Sequence, residues 1–243
     1  MQTYSSSHTW LNQGKRQLLG LFLASPCPLC QRSTTGILCS SCDRLVRQCQ
    51  TSTPCDRTVS LRVVSWGRYE GSLRQVIGRL KYSGHAEIAQ FLGTELGQSW
   101  RAQIKPGSPT RPLIVVPIPL HPTKLQQRGF NQADLLAEWF CRSTRLPLCR
   151  DGLLRIQATQ PQHSLDRSAR QQNLSQAFAV NPRQTSALRQ AGVWLLDDIF
   201  TTGATAQSAA QTLRQSGIAV AGICAVARAA AWDTSSRSRD RVS

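Results

Sequence analysis

Apolar positions along this chain alternate between two periods, one typical of strands and one of helices. Val63-Val64-Ser65-Trp66 predicts a strand entering a turn at Gly67. Leu73, Val76, Ile77 and Leu80 then fall at helical spacing, with Lys81 and Tyr82 at the end. A second helix is expected over residues 87–100, and the Pro/Gly-rich stretch 105–112 reads as a loop. Leu113-Ile114-Val115-Val116 predicts a short buried strand stopped by Pro117 and Pro119, the first candidate for a parallel strand. From Asn131, placed as an N-cap, Ala133, Leu135, Leu136, Trp139 and Phe140 repeat helically. A strand is expected at Leu153-Leu154-Arg155. The polar region 157–170 leads into a helix or ordered loop through Leu174 and Phe178. Val193-Trp194-Leu195-Leu196 is the clearest buried strand. A helix over 206–215, a stop at Gly217 and a closing strand over 218–227 complete the pattern.

Strands alternating with helices predict an α/β fold with a mostly parallel sheet flanked by helices. Residues 1–60 read as an N-terminal helix and a cysteine module, 61–230 as the main domain, and 231–243, rich in Ser, Arg and Asp, as a flexible tail. The 243 residues suffice for one α/β domain and a small appendage.

Charge widens the list of partners without selecting one. The 29 Lys and Arg against 13 Asp and Glu leave a formal +16, which suits a polyanion. The basic residues are spread along the whole chain, so a solvated basic surface accounts for them equally well. Of the nine cysteines, the first four form two CxxC pairs, which favours zinc and a reducing, cytoplasmic compartment over disulfides. Lys15-Arg16 and the apolar run 18–24 imitate a leader ending at Cys27, but Pro26 misfits the cleavage site, and cleavage would expose a cysteine the zinc pair needs. An amphipathic helix packing on the cysteine module is expected there instead. No stretch approaches the roughly 18 apolar residues of a membrane-spanning helix, so no membrane insertion is expected.

The candidate chemistry lies in Asp197-Asp198-Ile199-Phe200-Thr201-Thr202-Gly203-Ala204-Thr205. An apolar strand ends in two acids, the chain turns, and a helix begins. At the carboxyl end of a parallel strand, loop amides and the next helix's N-terminus present positive partial charge to a ligand. Gly203 lets the backbone approach an anion closely, and Thr201, Thr202 and Thr205 add neutral donors. Asp197 and Asp198 would repel a phosphate, which assigns them to vicinal sugar hydroxyls with magnesium nearby. An ordinary turn with exposed acids and capping threonines is the competing account of any fragment of the run. The full run resembles the signature of the type I phosphoribosyltransferases, which implies acids on the ribose hydroxyls and the loop, Ala204 included, on the 5-phosphate.

Pro117-Ile118-Pro119-Leu120-His121 follows a buried strand, making Pro119 a candidate diphosphate contact or simply part of a rigid turn. Lys124 and Arg128-Gly129-Phe130-Asn131-Gln132 set cations before a helix, as a clamp on a leaving diphosphate or as surface charges. Taken in order, Tyr69-Glu70-Gly71 through Leu80-Lys81-Tyr82, Val116 through Leu120, Arg128 through Gln132, Gln160, Arg170 and Asn173, and the acid-threonine loop resemble the ComF family of competence-associated proteins. The likeness spans roughly residues 20–228. It implies a cysteine zinc module before a phosphoribosyltransferase-type domain and a link to uptake of transforming DNA. By the same resemblance Lys81 and Arg128 become diphosphate or substrate contacts, and Arg170 and Asn173 parts of a lid. Without it, Lys81 would read as a snorkelling helix-end lysine and Arg170 as a solvated helix face.

Cys27-Pro28-Leu29-Cys30 and Cys39-Ser40-Ser41-Cys42, eight residues apart, offer four thiolates to one tetrahedral Zn2+; a redox dithiol is the main competitor. Four closed ligands make such a metal structural. Cys49 and Cys55 lie near, with no firm place in a second site, and Cys141, Cys149 and Cys224 read as core thiols.

Two functions follow as expectations. One is a phosphoribosyltransferase-like enzyme using magnesium-bound phosphoribosyl diphosphate. The other is a non-catalytic sensor with the same pocket, holding single-stranded DNA on its basic surface alongside competence-machinery proteins.

Overall fold

The computed structural model describes residues 24–51, 61–104, 111–156 and 177–229. The expected N-terminal helix, the tail, Cys55, Gln160, Arg170, Asn173 and Leu174 lie outside them. Chain order is β1 (Ser25–Pro26), β2 (Ser33–Thr34), α1 (Ser40–Arg47), β3 (Val63–Arg68), α2 (Gly71–Tyr82), α3 (Ile88–Gln103), β4 (Leu113–Pro117) and α4 (Pro122–Arg128). It continues with α5 (Gln132–Thr144), β5 (Leu153–Arg155), β6 (Phe178–Val180), α6 (Thr185–Arg189), β7 (Gly192–Phe200), α7 (Ala204–Gln215) and β8 (Ala219–Arg228).

The central sheet is β3-β8-β7-β4, with every neighbouring pair parallel. The parallel set therefore begins at β3, one strand earlier than the pattern suggests. Strand alternation splits the core in two. Trp194 and Leu196 of β7 face α2, α3 and α5, where Trp100 meets the rings of Trp194 and Phe140 edge-on at 5.8 and 6.0 Å. Val193 and Leu195 face the other way, onto Ala209, Ala210 and Leu213 of α7 and onto Leu153 and Phe178 of the small antiparallel β5-β6 ribbon. Both faces are covered, which is why the central strands are apolar nearly throughout.

Four local expectations change. Gly67 is not a turn, because β3 runs through it to Arg68. A Cβ at Gly67 would stand 2.8 Å from Cys49 O and 2.8 Å from Leu73, so its bare backbone lets the cysteine module press against the sheet. Arg68 N donates to Cys49 O at 2.9 Å and Thr51 N to Trp66 O at 3.0 Å across this join. Second, β7 does not end at the two acids but continues past Asp197 and Asp198 to Phe200, paired with β8 as far as Arg228. Third, Pro117 does not stop β4 but is its last residue, paired with Leu196, and a short helix that the pattern did not suggest follows: Pro122 begins α4, and His121 Nδ1 accepts from Thr123 N at 3.2 Å. Fourth, Phe178 is in a strand, because it pairs with Arg155 and packs inward beneath α7.

Candidate functional site

The cysteine module is built as two turns facing one point. Cys27 N donates to Arg32 O at 2.8 Å and Gln31 N to Cys27 O at 2.9 Å, folding the first CxxC over the β1-β2 hairpin. Gln31 takes the left-handed φ of 64° needed to close that knuckle, a cost ordinarily avoided outside glycine. The second CxxC opens α1, with Cys39 at its N-cap and Asp43 N donating to Cys39 O at 2.9 Å. The four sulfurs of Cys27, Cys30, Cys39 and Cys42 lie within 4.8 Å of one another, with those of Cys30 and Cys39 3.5 Å apart. Tetrahedral Zn2+ with bonds of about 2.3 Å spaces its sulfurs by about 3.8 Å, so the set fits one zinc ion with no open position. Burial acts to raise the Cys27 thiol, yet backbone hydrogen bonds from Cys39, Cys30 and Leu29 outweigh it and bring the group to about 6. Burial pushes Cys42 the other way. Cys49 stays outside the cluster: its buried thiol donates to Glu70 O at 3.5 Å and Leu45 O at 3.8 Å, joining α1 to the β3-α2 turn. Cys141, Cys149 and Cys224 are buried, as expected of core thiols.

At the carboxyl edge of the main sheet, the extension of β7 decides the geometry. Successive strand residues point to opposite faces, so the two acids part company. Asp198 is buried on the α2/α5 face, where Lys81 Nζ forms an ion pair with Oδ2 and Gln132 Nε2 donates to Oδ1 at 3.3 Å. Gln132 Oε1 in turn accepts from Arg128 Nη1 at 2.8 Å, while Arg128 Nη2 donates to the Tyr82 hydroxyl at 3.0 Å and the guanidinium lies over the Tyr82 ring at 4.7 Å. A continuous line thus runs from Asp198 through Gln132 and Arg128 to Tyr82, with Lys81 beside it. Asn131 holds α5 in place, its Oδ1 accepting from Ala133 N at 3.1 Å and its Nδ2 donating to Ile118 O at 3.1 Å.

Asp197 turns to the α7 face, where it lines a small cavity with Thr201, Gly203 and Thr205. Its Oδ1 accepts from Asp198 N at 2.8 Å. Burial first, then the charge of Asp198, hold the Asp197 carboxyl well above the usual carboxylate range, with Lys81 opposing. Arg155 stands on this face too; burial lowers its pKa and the charge of Asp197 works against that. Thr201 and Thr202 are exposed, and Gly203 enters α7 in the left-handed conformation, φ 75°. Thr202 Oγ1 accepts from Ala204 N at 3.4 Å, and Gly203 O accepts from Gln207 N at 2.8 Å. The enclosed volume is about 20 Å3, so any sugar phosphate must sit above this cleft rather than within it. Pro119 is half-buried on the same edge, fixed by Ile118 N donating to Leu196 O at 2.8 Å.

Lys81, Arg128, Asp198 and Pro119 therefore meet at one edge, and Asp197 joins the threonine loop, while the role implied for Arg170 lies outside the described residues. Gln132, Tyr82 and Arg155 were not anticipated as site residues. A signal existed for Gln132: it follows the N-cap directly, where a polar residue is ordinarily exposed, yet it is only 5% exposed. Among the described residues no helix is long and apolar enough to cross a membrane.

No protein-family model matches the chain. Individual relatives do. The DNA utilization protein YhgH of Salmonella typhi is 31% identical over 209 residues, covering 79% of this chain and 90% of that protein. Competence protein F of Haemophilus influenzae is 31% identical over 170 residues, covering 69% and 73%. Competence protein ComFC of Bacillus subtilis is 27% identical over 192 residues, covering 79% and 72%. Among solved structures, an adenine phosphoribosyltransferase from Leishmania donovani aligns with a TM-score of 0.38 and 15% identity, over 68% of this chain and 62% of that one. On the extent and identity of the sequence matches, the chain belongs to the ComF family, which includes competence protein F and the DNA utilization protein YhgH.

Proposed function

We propose that this ComF-type protein binds phosphoribosyl diphosphate with magnesium at the carboxyl edge of β7, and that it serves DNA uptake or utilization, as its relatives' names suggest. One observation carries the ligand: at the end of a central parallel strand, Asp197 shares a cleft with Thr201, Gly203 and Thr205 at the N-terminus of α7. The amides of Thr202, Gly203 and Ala204 and the threonine hydroxyls take the 5-phosphate, where the helix dipole favours negative charge. Asp197 and Asp198 take the ribose hydroxyls. Lys81 and Arg128 receive the diphosphate, with Pro119 at its rim and Arg170 in the lid.

Magnesium would neutralise the diphosphate charge. Asp197 is the carboxylate suited to reach the ion, since Lys81 and Gln132 already occupy Asp198. In turnover an acceptor nitrogen attacks the anomeric carbon, the bond to diphosphate breaks and the nitrogen sheds its proton. Lys81 and Arg128 stabilise the departing anion through position and charge. The second reading, a sensor without turnover that handles single-stranded DNA, draws on the +16 charge, which suits a polyanion without selecting one. Diphosphate released only when an acceptor base is added supports the enzyme. DNA affinity that falls steeply with salt, with no diphosphate released, supports the sensor.

Calorimetry with phosphoribosyl diphosphate and magnesium, comparing the native chain with Asp197→Asn/Asp198→Asn, tests the site. Saturable binding lost in the double variant supports the assignment, and unchanged binding removes it.

A further inference from the structure

Beside Lys81, on the α2 face of the edge, a cavity of about 320 Å3 opens, lined chiefly by Lys81, Tyr82, Gly84, Lys124, Arg128 and Phe130. It lies at the small end of ligand pockets, which run from about 300 to 1,000 Å3. Among the described residues no carboxylate lines it, so its field favours an anion. Two of its three cations are already engaged: Lys81 with Asp198, and Arg128 with Gln132 and Tyr82. Lys124 has no ion-pair or hydrogen-bond partner among the described residues, so its ammonium is available to a ligand.

The aromatic lining is equally unusual. Tyr82 ends α2 with 73% of its surface exposed, where an apolar ring would ordinarily be tucked inward. The Arg128 guanidinium covers one face at 4.7 Å and also bonds the hydroxyl, which holds the ring still and leaves the opposite face open. Gly84 adds space, since a Cβ built there would meet nothing within 4 Å. Half-buried Phe130 forms a second apolar surface. A fixed, open ring face beside an unpaired ammonium complements a flat ring joined to an anion. Inorganic phosphate would use Lys124 and leave the ring idle, and a neutral aromatic compound would do the reverse.

We propose that this cavity binds a nucleotide unit, its base stacked on Tyr82 and its phosphate on Lys124. The unit is either a free mononucleotide or one residue of a single strand, which share this chemistry. The cavity shares Lys81 and Arg128 with the proposed diphosphate contacts, so the assignment rests on that reading for the anionic end of the edge, while stacking on Tyr82 is its own claim.

Fluorescence anisotropy of a labelled short oligothymidylate, competed by thymidine monophosphate, thymidine or inorganic phosphate, tests the assignment. Tyr82→Ala and Lys124→Ala should each weaken binding by about fivefold or more, the range of one lost stacking partner. Tyr82→Phe, which keeps the ring, should bind nearly as the native chain does, and oligonucleotide binding should be unchanged in Asp197→Asn, whose side chain lines the separate cleft on the α7 face. Competition by thymidine monophosphate on a par with the unlabelled oligonucleotide identifies a free nucleotide as the ligand, and weak competition identifies the strand. Inorganic phosphate competing as well as thymidine monophosphate overturns the proposal, and so does native affinity in Tyr82→Ala.

Discussion

Gly203 and Gly129 form a matched pair for testing how the loop before α7 is built. Both adopt left-handed φ, 75° and 76°, and both flank a helix. Their surroundings differ. A Cβ at Gly129 would meet nothing within 4 Å, whereas one at Gly203 would stand 2.7 Å from Phe200 Cζ and 3.2 Å from Cε2. Phe200 is 2% exposed and packed in the core beneath α7, so its ring has little room to withdraw. Gly129→Ala should therefore cost only the left-handed backbone penalty, about 1–2 kcal/mol. The smaller entropy of the unfolded alanine chain offsets about 0.4–1 kcal/mol of that. Gly203→Ala bears the same terms plus overpacking against Phe200, a further 1–3 kcal/mol or so. Urea unfolding should give Gly203→Ala the lower midpoint, with similar slopes in both variants. Equal losses would refute the claim that Phe200 supports the loop from below.

Three further outcomes follow from the described contacts. Lys81→Met leaves buried Asp198 without its counter-ion and should cost about 3 kcal/mol, the lower end for a broken buried pair because Gln132 retains one oxygen. Adding Asp198→Asn should recover part of this loss by denaturant titration, and strictly additive losses would contradict the pairing. Because the Asp197 carboxyl is raised by burial, its native state holds the proton more tightly than the unfolded chain does. Its ionisation therefore erodes stability as pH rises from about 3.9 through the folded pKa. Asp197→Asn should then raise Tm at neutral pH, with the gain vanishing in acid; a variant less stable at neutral pH contradicts this. For the cysteine module, metal analysis should return about one zinc per chain, and a strong chelator should lower Tm, with both effects lost in Cys30→Ser. A chelator-insensitive Tm in the native chain would argue for a metal-free module.

Much of this architecture was legible in residue order because parallel strands buried on both faces leave unbroken apolar runs. Val193 to Leu196 announced β7 in that way, and Asn131 marked the start of α5 by its capping chemistry. What period-based reading missed has a common cause. Gly67 and Pro117 are strong local punctuation, yet tertiary contact turned the first into a point of close approach and pairing with Leu196 kept the second in β4. The acids were legible as chemistry but not as geometry. Whether β7 ended at them or ran past them depended on pairing with β8, a partner more than twenty residues away. That pairing sends Asp198 to Lys81 and Asp197 to the threonines. Likewise no local pattern announces the line from Asp198 to Tyr82, since its members come from β7, α5, α4 and α2.

The most direct test of a phosphate seat before α7 is a titration of isotope-labelled protein with ribose 5-phosphate, following backbone amide resonances. Saturable shifts should be largest at Thr202, Gly203 and Ala204. Shifts confined to other parts of the sheet edge, or none at millimolar ligand, would contradict the assignment.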